Sequence, residues 1–309
     1  MSRSLRQSTW LRLLVLTSAI VGVGACASES SEPPLGPRLE VGDMAGFKLP
    51  LDAYIASPVG EVIEAEIVLV NTCMAEFGLA GKYLDAYLPD TGPPPNERRY
   101  WLVKASDAAT LGYESPWADV VRKKLESTHD WSPFEEALLI GNGPTVHEGR
   151  PIPAGGCVGA ARRQLAQGTP ELPKMDGAPV LEDRSGTSTS MIADYLAGKT
   201  HKDMLNDSRV TSAVDGWRTC MADLGFAYES PRDANNDLKW DGDSVSAEEI
   251  ATATADVTCK RQVDLASMMA TVETAYQNRA VAENKEALDT IEQANTIRIN
   301  NALSVLKNG

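Results

Sequence analysis

Five cysteines carry the most reactive side chains in the sequence of 309 residues. Cys26 directly follows a basic segment and an apolar stretch, which together predict a secretion signal over residues 1–25. The other four lie further along the chain, at Cys73, Cys157, Cys220 and Cys259. Thiols outside the cytoplasm are prone to oxidation, and four is an even number. The sequence therefore predicts two disulfide bonds, for which three pairings exist.

Small residues precede the first cysteine: Val23, Gly24 and Ala25 stand directly before Cys26. This tetrapeptide resembles the lipobox of bacterial lipoproteins. The resemblance implies that the Cys26 thiol receives a diacylglyceryl group, that the signal is cut just before it, and that the new N-terminus can be acylated. Two acyl chains hold a protein stably on a bilayer. We therefore expect a lipid anchor on the extracytoplasmic face of the cell membrane; an ordinary signal peptidase site is the alternative.

The segment TCMAEFGLA at 72–80 recurs as TCMADLGFA at 219–227, which predicts an internal duplication. A disulfide inherited with its repeat must close within that repeat. The expected pairs are therefore Cys73 with Cys157 and Cys220 with Cys259. No cysteine pair has the short spacing of a zinc knuckle, so we predict no metal site and no cofactor.

The sequence offers no catalytic group at a recognisable spacing, and we predict no catalytic residue. The histidines, His129, His147 and His201, lie in polar text without a GxSxG or HExxH motif. The adjacent acids at 135–136 and 248–249 are better explained as helix starts. The alternative is a wall-glycan hydrolase whose carboxylates come from the 84–131 insertion, with Asp107, Glu114 and Asp119 as candidates.

Aromatic residues of this insertion are the candidates for ligand binding, since flat rings stack on apolar faces. The candidates are Trp101, Tyr113, Trp117 and Trp131. Pinning a long loop to its helices is the alternative role. The acidic stretch 233–244 begins with the spacing of a calcium loop, but Leu238 and Ser244 stand where glycine and glutamate are required.

The net charge of the chain indicates which partners it can bind. Loss of the signal removes Arg3, Arg6 and Arg12 and changes the formal net charge from −14 to −17. Phosphate binding depends on clustered Lys and Arg, so we predict no nucleic-acid partner. The lipid bilayer, reached through acylated Cys26, is the first expected partner.

Helical periodicity dominates the remaining sequence and predicts an all-α fold. Ile63, Ile67, Val70, Met74 and Phe77 lie on one face of a helix, and the same face recurs 147 residues later. After Cys259 the chain has no proline or glycine before its last residue, which predicts one long C-terminal helix. Its distal part either projects toward a partner or packs on its own domain.

Composition divides the chain into five segments. A Pro- and Ser-rich stretch predicts a disordered tether after the signal, and a Pro- and Gly-rich connector separates two related helical halves. A second repeat, YESP at 113 and 228, supports the duplication. The predicted segments are a signal at 1–25, a lipidated tether at 26–48, a first half with the insertion at 49–166, a linker at 167–190 and a second half at 191–309.

Most of the mature sequence resembles a group of exported proteins and lipoproteins of actinobacteria. The resemblance rests on a CM…G helix end at Cys73, a GGC segment at Cys157, a W…CM…G segment at Trp217 and an AEEIA…AD…C stretch at Ala247–Cys259. It implies a helical, disulfide-linked surface protein. The resulting expectation is a non-enzymatic binding or assembly role at the cell envelope, with an envelope protein or peptidoglycan as partner.

Overall fold

The computed structural model describes residues 32–55, 60–79, 94–126, 131–182, 188–242 and 244–308. The fold of this part is all-α, as predicted. Its α-helices are Gly60–Ala75 (α1), Ala105–Leu111 (α2), Ala118–Glu126 (α3), Pro133–Ile140 (α4), Gly156–Leu165 (α5), Ile192–Leu205 (α6), Ser208–Asp223 (α7), Pro231–Asn235 (α8), Ala247–Gln262 (α9), Leu265–Glu283 (α10) and Lys285–Asn308 (α11). Two 3₁₀ turns cover Pro50–Ala53 and Leu238–Trp240.

The two repeated segments end their helices in the same way. Beyond α1, the N–H of Leu79 donates to the carbonyl of Met74 at 3.1 Å; beyond α7, Phe226 donates to Met221 at 2.9 Å. Each pair encloses a glycine with positive φ, 81° at Gly78 and 89° in its counterpart. This is the Schellman arrangement, in which glycine enters the left-handed region without a steric penalty.

Both predicted disulfides are confirmed. Cys73–Cys157 joins α1 to α5 with a Cα–Cα distance of 5.7 Å, and Cys220–Cys259 joins α7 to α9 with 5.6 Å. Both distances lie in the range that an unforced disulfide requires. The bonds therefore connect helices that also pack side by side.

The largest hydrophobic core lies among α7, α9 and α10, around the buried indole of Trp217. Residues 100–113 of the insertion also belong to it, through Tyr100, Leu102 and Tyr113. A smaller core surrounds Cys73–Cys157 between α1, α4 and α5. Pro33–Gly309 forms one compact unit, so the predicted linker at 167–190 does not separate two independent bodies. An origin by duplication stays a prediction.

The predicted single C-terminal helix is corrected to two helices after α9. Asp264 adopts a left-handed conformation with φ 51°, and its carboxylate and carbonyl accept hydrogen bonds from Arg38 at 2.6 and 3.1 Å. Asp tolerates that conformation better than most residues. Asn284 forms the second break, and its side chain donates to the carbonyl of Ala280 at 2.7 Å. Helix propensity does not show either break, and the contact at the first one comes from Arg38, 226 positions away.

The last helix, α11, packs on its own chain. It lies against α1 and α5, and it buries Leu288, Ile291 and Ala302. The side-chain amide of Asn301 donates to the carbonyls of Leu165 and Gln167, both at 2.9 Å. Neither predicted alternative describes its distal part, which packs on α1 and α5 of the predicted first half.

Part of the predicted tether is held by the core, which corrects its boundary at residue 48. Val41 and Met44 are buried in the largest core. The backbone N–H of Leu39 donates to Thr271 of α10 at 3.0 Å. The sequence missed this attachment because isolated apolar residues without a period carry no secondary-structure signal. The residues of the predicted tether before Glu32 lie outside the described part.

Two short hairpins were not predicted. Val146–His147 pairs with Arg150–Pro151, and Val180–Glu182 pairs with Ser188–Ser190. The turn of the first hairpin, at 148–149, has positive φ at both central residues. A hairpin turn of this type is normally announced by Asn-Gly or Asp-Gly, and Glu-Gly is a weaker signal.

Candidate functional site

A cavity of about 230 Å³ opens beside the largest core, where α9 meets the insertion. Its lining combines two aromatic rings, two carboxylates and small polar groups. The lining residues are Tyr113, Glu114, Asn235, Trp240, Gly242, Ser244, Val245 and Glu249. They come from the insertion, the acidic stretch and the first turn of α9. Aromatic rings beside a few polar groups are typical of small-ligand sites.

Local hydrogen bonds fix the inner wall of the cavity. The Oγ of Ser246 accepts from the N–H of Glu249 at 3.0 Å and caps α9. One oxygen of Glu249, Oε1, accepts from the backbone N–H of Tyr113 at 3.0 Å. A Cβ at Gly112 would lie 2.7 Å from the Glu249 side chain, so only glycine permits this approach. The cap and the glycine together hold Tyr113 and Glu249 side by side.

The two YESP segments meet around Trp240. The ring of Tyr113 stacks on the Trp240 ring with centroids 5.9 Å apart. Tyr228, the tyrosine of the second copy, donates from its hydroxyl to Asp237 at 2.9 Å. The ammonium group of Lys239 lies 4.5 Å from the Trp240 centroid and 5.5 Å from that of Tyr228. Residues far apart in sequence thus build one aromatic cluster.

A buried ion pair lies behind this wall. Lys260 donates to Asp256 at 2.8 Å and to the carbonyl of Leu102 at 2.8 Å, while the Trp217 indole donates to Asp256 at 2.9 Å. Burial raises the pKa of Asp256 and lowers that of Lys260, and each charge opposes the shift of the other. Burial and the nearby Asp256 charge raise the pKa of Tyr113, whose hydroxyl forms no hydrogen bond with any described residue.

A second buried carboxylate, Glu273, joins α10 to the insertion. Arg99 and Tyr100 donate to it, the latter at 2.8 Å, and Nδ1 of His201 lies 3.4 Å from Oε2. Burial alone would raise the pKa of Glu273, but hydrogen bonds from His201 and Arg99 outweigh it and hold the pKa below its ordinary value. All the acceptor sites of this carboxylate face protein groups, which indicates a structural role.

The structure does not bring the four aromatic candidates together. Tyr113 lines the cavity. Trp101 packs against the largest core, and Trp117 donates its indole N–H to Glu97 at 2.7 Å. Trp131 packs beside the Cys73–Cys157 disulfide. Trp101 and Trp131 thus pin the insertion to two different cores, which was the alternative role, whereas the indole of Trp117 contacts another residue of the insertion.

The carboxylates named for a hydrolase are also dispersed. Asp107 is buried and lies 3.5 Å from Lys104, and Asp119 forms an exposed ion pair with Arg122. Glu114 lines the cavity. These three therefore do not form one site.

The histidines lie apart as well. The ring of His147 stacks on Phe134 with centroids 3.8 Å apart, and His201 faces Glu273. His129 lies outside the described residues. Each described histidine thus already has a structural contact.

Asn235, Trp240 and Glu249 are among the cavity residues that were not predicted. Glu249 was assigned only to a helix cap, and the other two belong to the acidic stretch that fails as a calcium loop. Tyr113 and Glu249 are separated by 136 positions, so no local pattern links them. The YESP repeat was the one signal that pointed to this region.

The described residues contain neither a metal-binding cluster nor a membrane-spanning helix. No group of three or more His, Cys, Asp or Glu residues there could hold a metal ion. None of the helices in those ranges combines the length and the apolar composition needed to cross a bilayer. Cys26 lies outside the described residues, so its acylation stays a prediction.

No protein-family model, curated protein or solved structure matches the chain.

Proposed function

We propose that the protein is an extracytoplasmic lipoprotein, anchored through acylated Cys26, that has a binding role at the cell envelope. The cavity beside Tyr113 and Trp240 is its ligand site. The lipid would hold the folded body within reach of the bilayer, the cell wall and envelope proteins.

Both disulfides support export. Such bonds form and persist in oxidising compartments and are rare in the cytosol. Cys73–Cys157 and Cys220–Cys259 use all the cysteines after Cys26. Cys26 is thus left for a different chemistry, and acylation beside a lipobox-like sequence accounts for it.

The cavity is the observation that supports a binding role most directly. Its inner wall is fixed before any ligand arrives, by the cap of α9 and by the close packing of Gly112 on Glu249. Preorganised walls lower the entropic cost of binding. A rigid, small, partly aromatic cavity suits recognition of one chemical group.

A wall-glycan hydrolase is the second candidate, because Glu114 and Glu249 line the same cavity as Tyr113 and Trp240. Glycoside hydrolysis requires one carboxyl group that donates a proton and one that stays ionised. Glu249 is held in place instead, because its backbone N–H donates to Ser246 and its Oε1 accepts from the backbone N–H of Tyr113. These contacts favour a fixed binding group.

Replacement of Cys26 with Ser is expected to abolish acylation, because a hydroxyl does not replace the thiol that the lipid transfer requires. The measurement is incorporation of a fatty-acid probe in the native host, followed by separation of membranes from soluble material. Ser31→Ala, a change just outside the lipobox-like sequence, is the matched control and should keep the label. If the Cys26 variant is labelled and retained on membranes as the wild type is, the hypothesis of a lipid anchor at Cys26 is contradicted.

Blocking the cavity is expected to abolish binding to the envelope. Ser244 lines the cavity and is exposed, so Ser244→Trp should fill it without disturbing the core. Ser304→Trp places the same side chain in a different groove, between α11 and α1, and serves as the control. The full chain is sedimented with purified cell wall from the native host, and the supernatant is assayed for soluble sugar.

Wild type and the Ser304 variant should sediment with the wall, and the Ser244 variant should not. Equal sedimentation of both variants, or no sedimentation of the wild type, would remove the cavity from the proposal. Release of soluble sugar by the wild type, lost in a Glu249→Gln variant, would favour the hydrolase.

A further inference from the structure

A carboxylate buried in protein needs a counter-ion, because transfer of a charge out of water is costly. Most buried carboxylates of the described chain face a basic side chain. The pairs are Asp256 with Lys260, Glu273 with Arg99, Asp207 with Arg209, and Asp107 with Lys104. Glu249 is as deeply buried, with 4% of its surface exposed, yet no described basic residue forms an ion pair with it. It lines the cavity instead.

The other residues of the lining add to the negative charge of Glu249. Glu114 adds a second carboxylate, which makes no ion pair or side-chain hydrogen bond with any described residue. Among the described residues that line the cavity, none is Lys, Arg or His. Arg98 lies behind the wall, where it donates to the carbonyls of Tyr113 and Glu114 at 3.3 and 3.0 Å. The cavity therefore presents two carboxylates without a compensating cation, beside two aromatic rings.

The neighbouring surface already shows how this chain holds an ammonium group. Lys239 places its ammonium over the rings of Trp240 and Tyr228, and its carboxylate partners are Glu248 at 3.1 Å and Asp237 at 3.5 Å. Rings combined with carboxylates attract cations through the ring quadrupole and through direct charge. The ion pairs of Lys239 are thus with these two acids and not with Glu114 or Glu249.

We infer that the cavity binds the primary ammonium group of an organic ligand, with Glu249 as its buried counter-ion and Glu114 at the rim. This inference rests on the proposed binding function and names the ligand class. A metal ion fits less well, since no group of three metal-ligating side chains lies in the described residues. The volume of about 230 Å³ is below that of drug-sized sites, roughly 300–1,000 Å³. It suits an alkylammonium arm such as a lysine-type side chain on a peptide.

The test uses a probe with one positive charge and its neutral analogue. Nα-acetyl-lysine methylamide carries the ammonium; its Nε-acetylated form has a similar chain without the charge. Each is titrated into the full chain in detergent, and the indole signal of Trp240 is followed by NMR. N-acetylglucosamine oligomers and calcium chloride are titrated in parallel. The charged probe should bind at least tenfold more tightly than the neutral one, and increased salt should weaken it.

Two variants test which carboxylate binds the ammonium group of the probe. Glu249→Gln keeps an oxygen for the Tyr113 N–H but removes the charge, so it should weaken binding of the charged probe at least tenfold. Because it also relieves an uncompensated buried charge, the thermal midpoint of the ligand-free variant should be unchanged or higher. Glu114→Gln should weaken binding of the charged probe several-fold. Glu64→Gln, an equal charge change on α1, should leave that binding unaltered.

Each remaining outcome overturns the inference in a distinguishable way. Equal binding of both lysine probes, or binding of the sugar or of calcium alone, would refute an ammonium site but leave the binding function intact. A lower thermal midpoint in Glu249→Gln, with probe binding retained, would assign Glu249 a purely structural role. Cleavage of the sugar oligomer would refute the binding function itself. Binding of no probe would also refute the ammonium site.

Discussion

The variant Lys260→Met is expected to lose about 3–5 kcal/mol of unfolding free energy at neutral pH, because it leaves a buried charge without its partner. Lys260 is 3% exposed and donates both to Asp256 and to the carbonyl of Leu102. Methionine fits the space of the aliphatic stem but satisfies neither acceptor. Urea unfolding of the full chain, followed by circular dichroism, gives the difference.

The pH dependence gives a second measurement on the same variant. Burial already raises the pKa of Asp256 above its ordinary value of 3.8, and loss of Lys260 removes the charge that opposes this shift. A group with a raised pKa contributes stability that is present below its unfolded pKa and is lost as the pH rises through the folded pKa. The cost of Lys260→Met should therefore be smaller at about pH 4 than at pH 7.

Lys199→Met is the matched control. Lys199 also forms an i,i+4 pair at 2.8 Å, with Asp203 and in the reverse order along the helix, but its side chain is exposed and that of Asp203 is partly exposed. Exposed pairs contribute about 0–1 kcal/mol, so this change should cost less than about 1 kcal/mol. Similar losses in the two variants would show that burial of the Asp256–Lys260 pair has no special effect.

Removal of the disulfides is the second large effect. Replacement of both Cys73 and Cys157 with Ala should cost about 4.5 kcal/mol, and the same change at Cys220 and Cys259 about 4 kcal/mol. The separations of 84 and 39 residues produce this small difference, since loop entropy grows only with the logarithm of length. Unfolding in urea without reductant measures both losses.

Hydrogen exchange should show that the two bonds protect different parts. Cys73–Cys157 lies in the smaller core of α1, α4 and α5, so its loss should accelerate exchange there first. Cys220–Cys259 belongs to the largest core, and its loss should accelerate exchange throughout α7, α9 and α10. Each pair variant is the control for the other. Uniform acceleration in both would indicate one indivisible core.

The helices, their ends and the disulfide pairing could be predicted because they depend on residues close in sequence or on a repeat. Ser132 with Glu135 and Ser246 with Glu249 mark two helix starts, and the structure has both caps. Gly78 and its repeated counterpart mark two helix ends for a backbone reason that acts locally. Prediction was weaker where one distant contact decided the outcome, as at Asp264, whose left-handed conformation accompanies hydrogen bonds from Arg38.

An all-α protein with two disulfides follows from the sequence, since helical period, caps and repeated cysteines are encoded over a few turns of chain. The position of the cavity depends on tertiary packing. Tyr113, Trp240 and Glu249 carry no shared local pattern, and they meet because the insertion enters the largest core beside α9. The charge imbalance of Glu249 is likewise a tertiary property. A glutamate at a helix start is ordinary in sequence, whereas burial of Glu249 without an ion pair to any described basic residue is a result of how the chain folds over it.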